Sequence, residues 1–273
     1  MPQCAFNKLD IDTFMNSTQT RTTVLNIEMN NFTSHELLHT FNEGLLVTPN
    51  IDHLMKLQHN QKFYQCYQEA EFSVCDSRII FLLTKLLFPK QALKEQITGS
   101  DFFPAFCQFH AEKDDDVRIF LLGGSEESVA VAAANINTKT NSGIVCGYYS
   151  PPFGFEHSAE ENAKIIAAIE SSGANTLAVG VGAPKQELWI SEQRANLPFI
   201  KRYLAIGATI EFESGNLKRA PKWMTQCGLE WLYRLGQEPK RLARRYLLED
   251  LPFFYLLVKQ RLGLYKNPWS TIQ

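Results

Sequence analysis

From Thr22 onward the apolar residues fall into two alternating patterns. Short unbroken runs such as "LLVT", "IFLLGG", "LAVGVG" and "YLAIG" are separated by longer stretches in which apolar positions recur every three to four residues. The runs predict strands buried on both faces, and the longer stretches predict helices with one buried side. In order, the pattern predicts a strand over 22–29, a helix over 34–44 closed by Gly44, a strand over 45–50 and one helix over 51–70. A short strand, "FSVCD", then enters a helix over 77–87. Strand-helix pairs follow at 118–124 and 125–140, at 142–149 and 158–173, and at 176–182 with a helix from Pro184. The strand "RYLAIG" comes last. This alternation predicts an α/β fold, a mostly parallel sheet with helices on both faces. Residues 1–20 have little periodicity and are expected to form a loosely attached leader.

Past about Asn216 the pattern becomes helical throughout, which divides the chain into a core over 21–215 and a helical appendage over 216–273. Charge makes the same division. The appendage holds eleven Lys and Arg against four Asp and Glu, a local charge of +7, whereas residues 1–215 carry −9 within a whole-chain charge of −2. Such a segment suits an anionic partner: phosphate, nucleic acid or a membrane surface. Nucleic acid is disfavoured because no recognised binding motif or interleaved stacking aromatics accompany the bases. The six cysteines show neither paired nor metal-ligand spacing, so a reducing cytoplasm is the expected location. The longest apolar run near the C-terminus, Leu251–Val258, is far too short to span a bilayer, and the first residues do not read as a signal peptide.

Ligands of parallel α/β sheets bind beyond the C-terminal strand ends. That rule selects Thr48–Asn50, Asp76–Arg78, Gly123–Ser125, Tyr148–Phe155, Gly182–Gln186 and Gly207–Thr209. In "VGVGAPKQELW", Gly182 allows close backbone approach, and Pro184 suits a first helical position, where its missing N–H has no helical partner. The free N–H groups of that turn favour an anionic or carbonyl-rich ligand, with Lys185 and Gln186 as further donors; a plain helix start is the competing reading. In "LLGGSEES", Ser125 is an N-cap, and Glu126 and Glu127 already complement the helix dipole, which disfavours a bound anion. Asp76 is placed to act as a general base if burial raises its pKa, or as an N-cap. Thr48 is a candidate donor to substrate or a turn residue. Asp114 and Asp116 have a D-x-D spacing but precede a strand, at the wrong edge of the sheet. No pair of the six histidines has ligand spacing, so no metal is expected. In the appendage, Arg241, Arg244 and Arg245 share a helix face and Arg234 can join them; guanidinium groups match the oxygens of a diphosphate. The "LPFFYLLVKQRLGLYK" stretch pairs an apolar cluster with flanking bases, as interfacial membrane segments do, or packs into the core.

Taken in order, "VTPNIDHL", "CDSRII", "TGSDFF", "FLLGGSEES", "GVGAPKQELW", "GATIEFESGNLKRAPKW" and "LEWLYRLGQEPKRLARRY" resemble the WecG/TagA/CpsF glycosyltransferases of bacterial cell-surface polysaccharide synthesis, from about Thr22 to Leu262. The resemblance implies a modified Rossmann-like core with a C-terminal appendage that covers the active site and touches the cytoplasmic membrane from its inner face. It implies transfer, with inversion, of a sugar of the N-acetylmannosamine type, its uronic acid, or a hexose, from a UDP-sugar to a polyprenyl-diphosphate-linked sugar. No cofactor or metal is implied, and the oligomeric state, including a homo-oligomer, is left open. By resemblance Asp76 is the base, Thr48 and Gln186 are pocket residues, and Arg234, Arg241 and Arg244 engage the donor diphosphate. Asn50, Gly182, Pro184 and Lys185 complete the expected binding set. Two segments depart from the family pattern: Cys75 and Ser77 flank Asp76 where Pro and Gly are usual, and "YYSPPFGFE" is richer in proline. A UDP-sugar-binding regulator without catalysis is the alternative reading.

Overall fold

Successive residues along each central strand face opposite layers, and both layers are apolar. In β3 (Gly44–Val47), Leu45 and Val47 join one cluster and Leu46 the other; in β5 (Ile119–Gly123), Phe120 and Leu122 oppose Ile119 and Leu121. β7 (Thr176–Gly180) and β8 (Arg202–Ala205) repeat this division with Leu177 and Val179 against Ala178, and Tyr203 and Ala205 against Leu204. A strand buried on both faces has no place for the polar alternation of a half-exposed one, hence the unbroken runs. With β4 (Phe72–Ser73) and β6 (Val145–Tyr149) they form a six-stranded parallel sheet in the order β4-β3-β8-β7-β5-β6.

This architecture comes from a computed structural model describing residues 21–227, 229–237 and 239–270, with the side chains of Lys222, Gln226 and Arg241 outside that description. The expected leader, residues 1–20, also lies outside it. Helices Ser34–Thr40, Gly99–Lys113, Glu126–Thr140 and Thr209–Ser214 cover one face of the sheet. Helices Ile51–Lys56, Gln61–Glu69, Arg78–Leu87, Ala159–Ser172 and Lys185–Gln193 cover the other. The chain is thus the expected α/β, Rossmann-like fold. Asn50, Asn60, Ser77, Thr98, Ser125 and Ser158 each start a helix by accepting a backbone N–H three residues on. Such a cap is worth about 1 kcal/mol relative to Ala.

Several elements differ from the sequence expectation. The single strand over 22–29 is an antiparallel hairpin, β1 (Arg21–Val24) and β2 (Ile27–Asn30), because Leu25 at φ 53 and Asn26 form a tight turn. The single helix over 51–70 is two helices, because the Asn60 side chain caps a new one. Helix Gly99–Lys113 is absent from the sequence expectation; it carries Pro104 inside it, and the buried Phe102, Phe103 and Phe106 fix it to the sheet. Helix Lys185–Gln193 starts one residue after Pro184, which follows a cis peptide bond and does not occupy the first helical position. Strand ends β5 and β7 approach so closely that a Cβ at Gly123 would lie 2.5 Å from the Gly180 carbonyl oxygen. The "LLGG" glycines thereby serve backbone packing.

Beyond Asn216 the chain runs through helices Lys222–Gln226, Glu230–Gln237 and Pro239–Arg244, a π-helical turn Arg245–Glu249, and helix Pro252–Arg261. Its far end is anchored to the core. Phe253 and Leu257 enter the same cluster as Leu54 and Met55, Tyr265 Oη donates to Gln58 Oε1 at 2.7 Å, and Trp269 Nε1 donates to the Leu57 carbonyl at 2.8 Å. No helix among the described residues is long and apolar enough to cross a membrane.

Candidate active site

β3 and β4 end side by side, and the residues that follow them form one wall of a cavity of about 380 Å³. Asn50 reaches it as the cap of helix Ile51–Lys56. Asp76 reaches it from the short link between β4 and helix Arg78–Leu87, in which the Asp76 N–H donates to the Pro49 carbonyl at 3.0 Å and Gln96 Nε2 donates to the Asp76 carbonyl at 3.1 Å. Those two backbone bonds hold Asp76 while leaving its carboxylate free of the N-cap role, which Ser77 performs. The opposite wall belongs to the C-terminal segment: Glu230, Trp231, Arg234, Arg245, Tyr246, Asp250 and Phe254. Trp231 and Tyr246 meet edge to face at 5.9 Å between ring centroids, which ties helix Glu230–Gln237 to the π-helical turn.

Burial pushes the Asp76 carboxyl well above the usual carboxylate range. Glu230 across the cavity adds to the effect and Arg234 opposes it, with smaller contributions upward from Asp101 and downward from Arg245. The cavity therefore sets a carboxyl of high proton affinity against two guanidinium groups, an arrangement suited to accepting a proton on one side and stabilising negative charge on the other. Beneath Arg245 lies a buried ion network. Its Nε is 3.5 Å from Asp52 Oδ1 and 3.5 Å from Asp250 Oδ2, and Asp52 Oδ2 is 2.8 Å from Lys56 Nζ. Burial pushes Asp250 up to about 6, opposed by Arg245.

The turn after β7 gathers a second group of polar side chains in one place. Gln186 is only 2% exposed. Its Oε1 accepts from the Gly182 N–H at 3.2 Å and the Gly207 N–H at 3.1 Å, so one amide joins the turns that follow β7 and β8, and its Nε2 donates to Glu187 Oε1 at 2.9 Å. Glu187 is fully buried, and burial pushes its carboxyl up to about 7 against the bond from Gln186. Lys185 points the other way: its Nζ is 3.0 Å from Glu156 Oε1 and 4.8 Å from the centre of the exposed Phe153 ring, which joins this turn to the "YYSPPFGFE" loop.

Of the residues selected from sequence, the cavity brings together Asn50, Asp76 and Arg234. Thr48 is buried at the end of β3, and Gly182, Pro184, Lys185 and Gln186 line the β7 turn outside the cavity wall. Arg244 is 79% exposed, with its Nε 3.2 Å from Glu249 Oε1, and the Arg241 side chain lies outside the described residues. Sequence reasoning did not select Glu230, Trp231 or Asp250, nor Asp52 below them. Arg245 was visible as part of a basic helix face, but only the tertiary structure shows that it, rather than Arg244, faces the cavity. The Asp114 and Asp116 pair lies before β5, away from this edge, and among the described residues no group of three or more His, Cys, Asp or Glu side chains could hold a metal ion.

A Rossmann-like sheet with a raised-pKa carboxyl and facing arginines beyond its strand ends brings a proton acceptor and positive charge into one cavity, where ligands of such sheets bind. The sequence model of the glycosyl transferase WecG/TagA/CpsF family matches residues 22–267, and the chain belongs to that family. It is therefore a glycosyltransferase, of a family placed in polysaccharide synthesis.

Proposed function

We propose that the protein transfers a sugar, of the N-acetylmannosamine type, its uronic acid or a hexose, from a UDP-sugar to a polyprenyl-diphosphate-linked sugar by single displacement with inversion. The observation that carries this reading is the placement of Asp76, with its elevated proton affinity, across one cavity from Arg234 and Arg245. Asp76 takes the proton of an acceptor hydroxyl as that oxygen forms its bond to the anomeric carbon. The bond from that carbon to the diphosphate oxygen breaks, and UDP leaves with the electron pair. Arginines, without a metal ion, meet the charge that develops on the diphosphate. Resemblance adds Arg241 to this set, and Thr48, Asn50 and Gln186 as pocket residues; Arg244, which resemblance also implies, is turned to Glu249 and its place beside the diphosphate is taken by Arg245. The β7 turn with Gly182, Pro184 and Lys185 completes the donor side.

The acceptor's lipid explains the outer surface of the segment. Leu247, Leu248, Leu251, Tyr255 and Val258 are exposed, with Lys259 and Arg261 on the same helix end, and Leu247 and Leu251 also line the cavity. Apolar side chains beside bases suit the anionic inner face of the cytoplasmic membrane. The testing experiment incubates the protein with separate UDP-sugars and lipid-linked acceptors, measuring released UDP and product mass. Asp76→Asn is expected to keep fold and UDP binding while losing about 10²–10⁴-fold in transfer. Near-normal turnover of that variant removes Asp76 as the base, and UDP-sugar binding without turnover across the panel favours a non-catalytic regulator.

A further inference from the structure

Asp52 stands where three parts of the chain meet. It lies in helix Ile51–Lys56, directly after the β3 end, and is 6% exposed. Its two carboxylate oxygens serve different partners. Oδ2 takes Lys56 Nζ at 2.8 Å, and the same ammonium donates to the Ala183 carbonyl at 3.3 Å in the turn after β7. Oδ1 faces Arg245 Nε of the C-terminal segment at 3.5 Å. That Nε is buried without a hydrogen bond, so charge from Asp52 and Asp250 is what holds it. The Arg245 side chain lines the cavity that contains Asp76 and Arg234.

Removing the Asp52 carboxylate takes from Lys56 its ion-pair partner and from the buried Arg245 Nε one of its two anionic neighbours, which costs more than the loss of a surface pair. We propose that Asp52 is a positioning residue: it aligns Arg245 in the cavity and, through Lys56, fixes the Ala183 turn, so that the C-terminal segment and the glycine turn are ordered together. The role in catalysis rests on reading the cavity as the donor site; the mechanical coupling does not. Ordering of the segment and ordering of the β7 turn then share one carboxylate, although neither element touches the other's backbone through it.

Hydrogen exchange followed by mass spectrometry reads the coupling without any ligand. Asp52→Asn is expected to raise amide exchange about tenfold in peptides containing Ala183 and in peptides containing Arg245. A rise confined to helix Ile51–Lys56 overturns the proposal. Where Asp52→Asn fails to fold, Arg245→Gln carries the test from the other side, and unchanged exchange around Ala183 is then the overturning result. Calorimetric titration with UDP tests the functional half. Asp52→Asn and Arg245→Gln are each expected to weaken UDP binding about tenfold, with the double variant no weaker than Arg245→Gln alone. Additive losses show that Asp52 does not act through Arg245. A wild-type protein that does not bind UDP sinks the donor-site reading, while the exchange experiment still decides the coupling.

Discussion

Glu187 offers the most direct test of the polar layer under the site. It is fully buried, its Oε1 accepts from Gln186 Nε2, and its Oε2 has no hydrogen-bond partner. Burial holds its carboxyl at about 7 rather than the usual 4.5. The folded state therefore binds a proton that the unfolded state releases. The stability from the neutral carboxyl is complete below about pH 4.5 and is lost as pH rises through about 7. The gap corresponds to about 3 kcal/mol, without a discount for solvent because no part of the residue is exposed. Lys56 and Asp52 on helix Ile51–Lys56 and Tyr67 and Cys66 on helix Gln61–Glu69 also face this carboxyl. Glu187→Gln keeps the shape and the acceptor for Gln186 but cannot ionise. Urea unfolding of both proteins, under conditions where each is two-state, gives stability at several values between about pH 4.5 and pH 8. Wild-type stability minus that of Glu187→Gln is expected to fall by about 3 kcal/mol across the window from 4.5 to 8. Asp76 and Asp250 shift in the same direction, and His53, held near 3 by burial, in the opposite one, but these remain in both proteins and cancel in the difference. A difference that stays flat with pH refutes the reasoning.

Other expectations follow from the same geometry. Transfer should increase with pH through the raised pKa of Asp76, because only its ionised form accepts the proton; a rate constant across pH 5 to 9 when the chemical step is isolated would contradict this. Arg234→Ala should weaken UDP binding about tenfold, whereas Arg244→Ala should change it much less, since Arg244 is exposed and turned to Glu249; calorimetry compares them. Gln186→Leu removes the acceptor shared by the Gly182 and Gly207 N–H groups and should lower stability by about 2 kcal/mol, read from urea midpoints. Activity in EDTA should match activity without it, and complete loss restored by Mg²⁺ would overturn the assignment of diphosphate charge to arginines.

The sheet was legible because each central strand had to be apolar on both faces, and such runs stand out from helices by length alone. Boundaries set by single polar side chains were less legible. Asn60 divides what looks like one helix because its side chain takes the Phe63 N–H, and the Leu25–Asn26 turn divides what looks like one strand. Of the site, Asp76, Asn50 and Arg234 were reachable from the rule that ligands sit beyond strand ends and from the basic bias of the last helices. Glu230, Asp250 and Asp52 were not, since an acid in or beside a helix reads as solvated until tertiary structure sets it against a cavity or a cation. The choice between Arg244 and Arg245 hung on tertiary placement: the two are adjacent on one basic stretch, and only Arg245 lines the cavity, where Asp52 and Asp250 meet it.

Those unreachable acids also explain how the segment holds its place. Its far end is fastened by ordinary apolar packing, with Phe253 and Leu257 fully within the core cluster. The cavity wall between Glu230 and Asp250 has less such packing: Leu242 is its one fully buried hydrophobic side chain among the described residues, and Arg245 of this wall meets Asp52 of the core as well as Asp250. A wall held by charge responds to a charged occupant, whereas a wall held by hydrophobic burial does not. On the proposed function, an incoming diphosphate meets the Arg245 that Asp52 and Asp250 already align, and raises the proton affinity of Asp250 by adding negative charge to its surroundings. Phe253→Ala separates the two attachments. It should cost about 3–5 kcal/mol and free helix Pro252–Arg261 to proteolysis while leaving Asp52 and Arg245 chemically intact. If UDP then protects the segment from cleavage, the ion network seats the wall around its ligand; if cleavage is indifferent to UDP, apolar packing alone positions it.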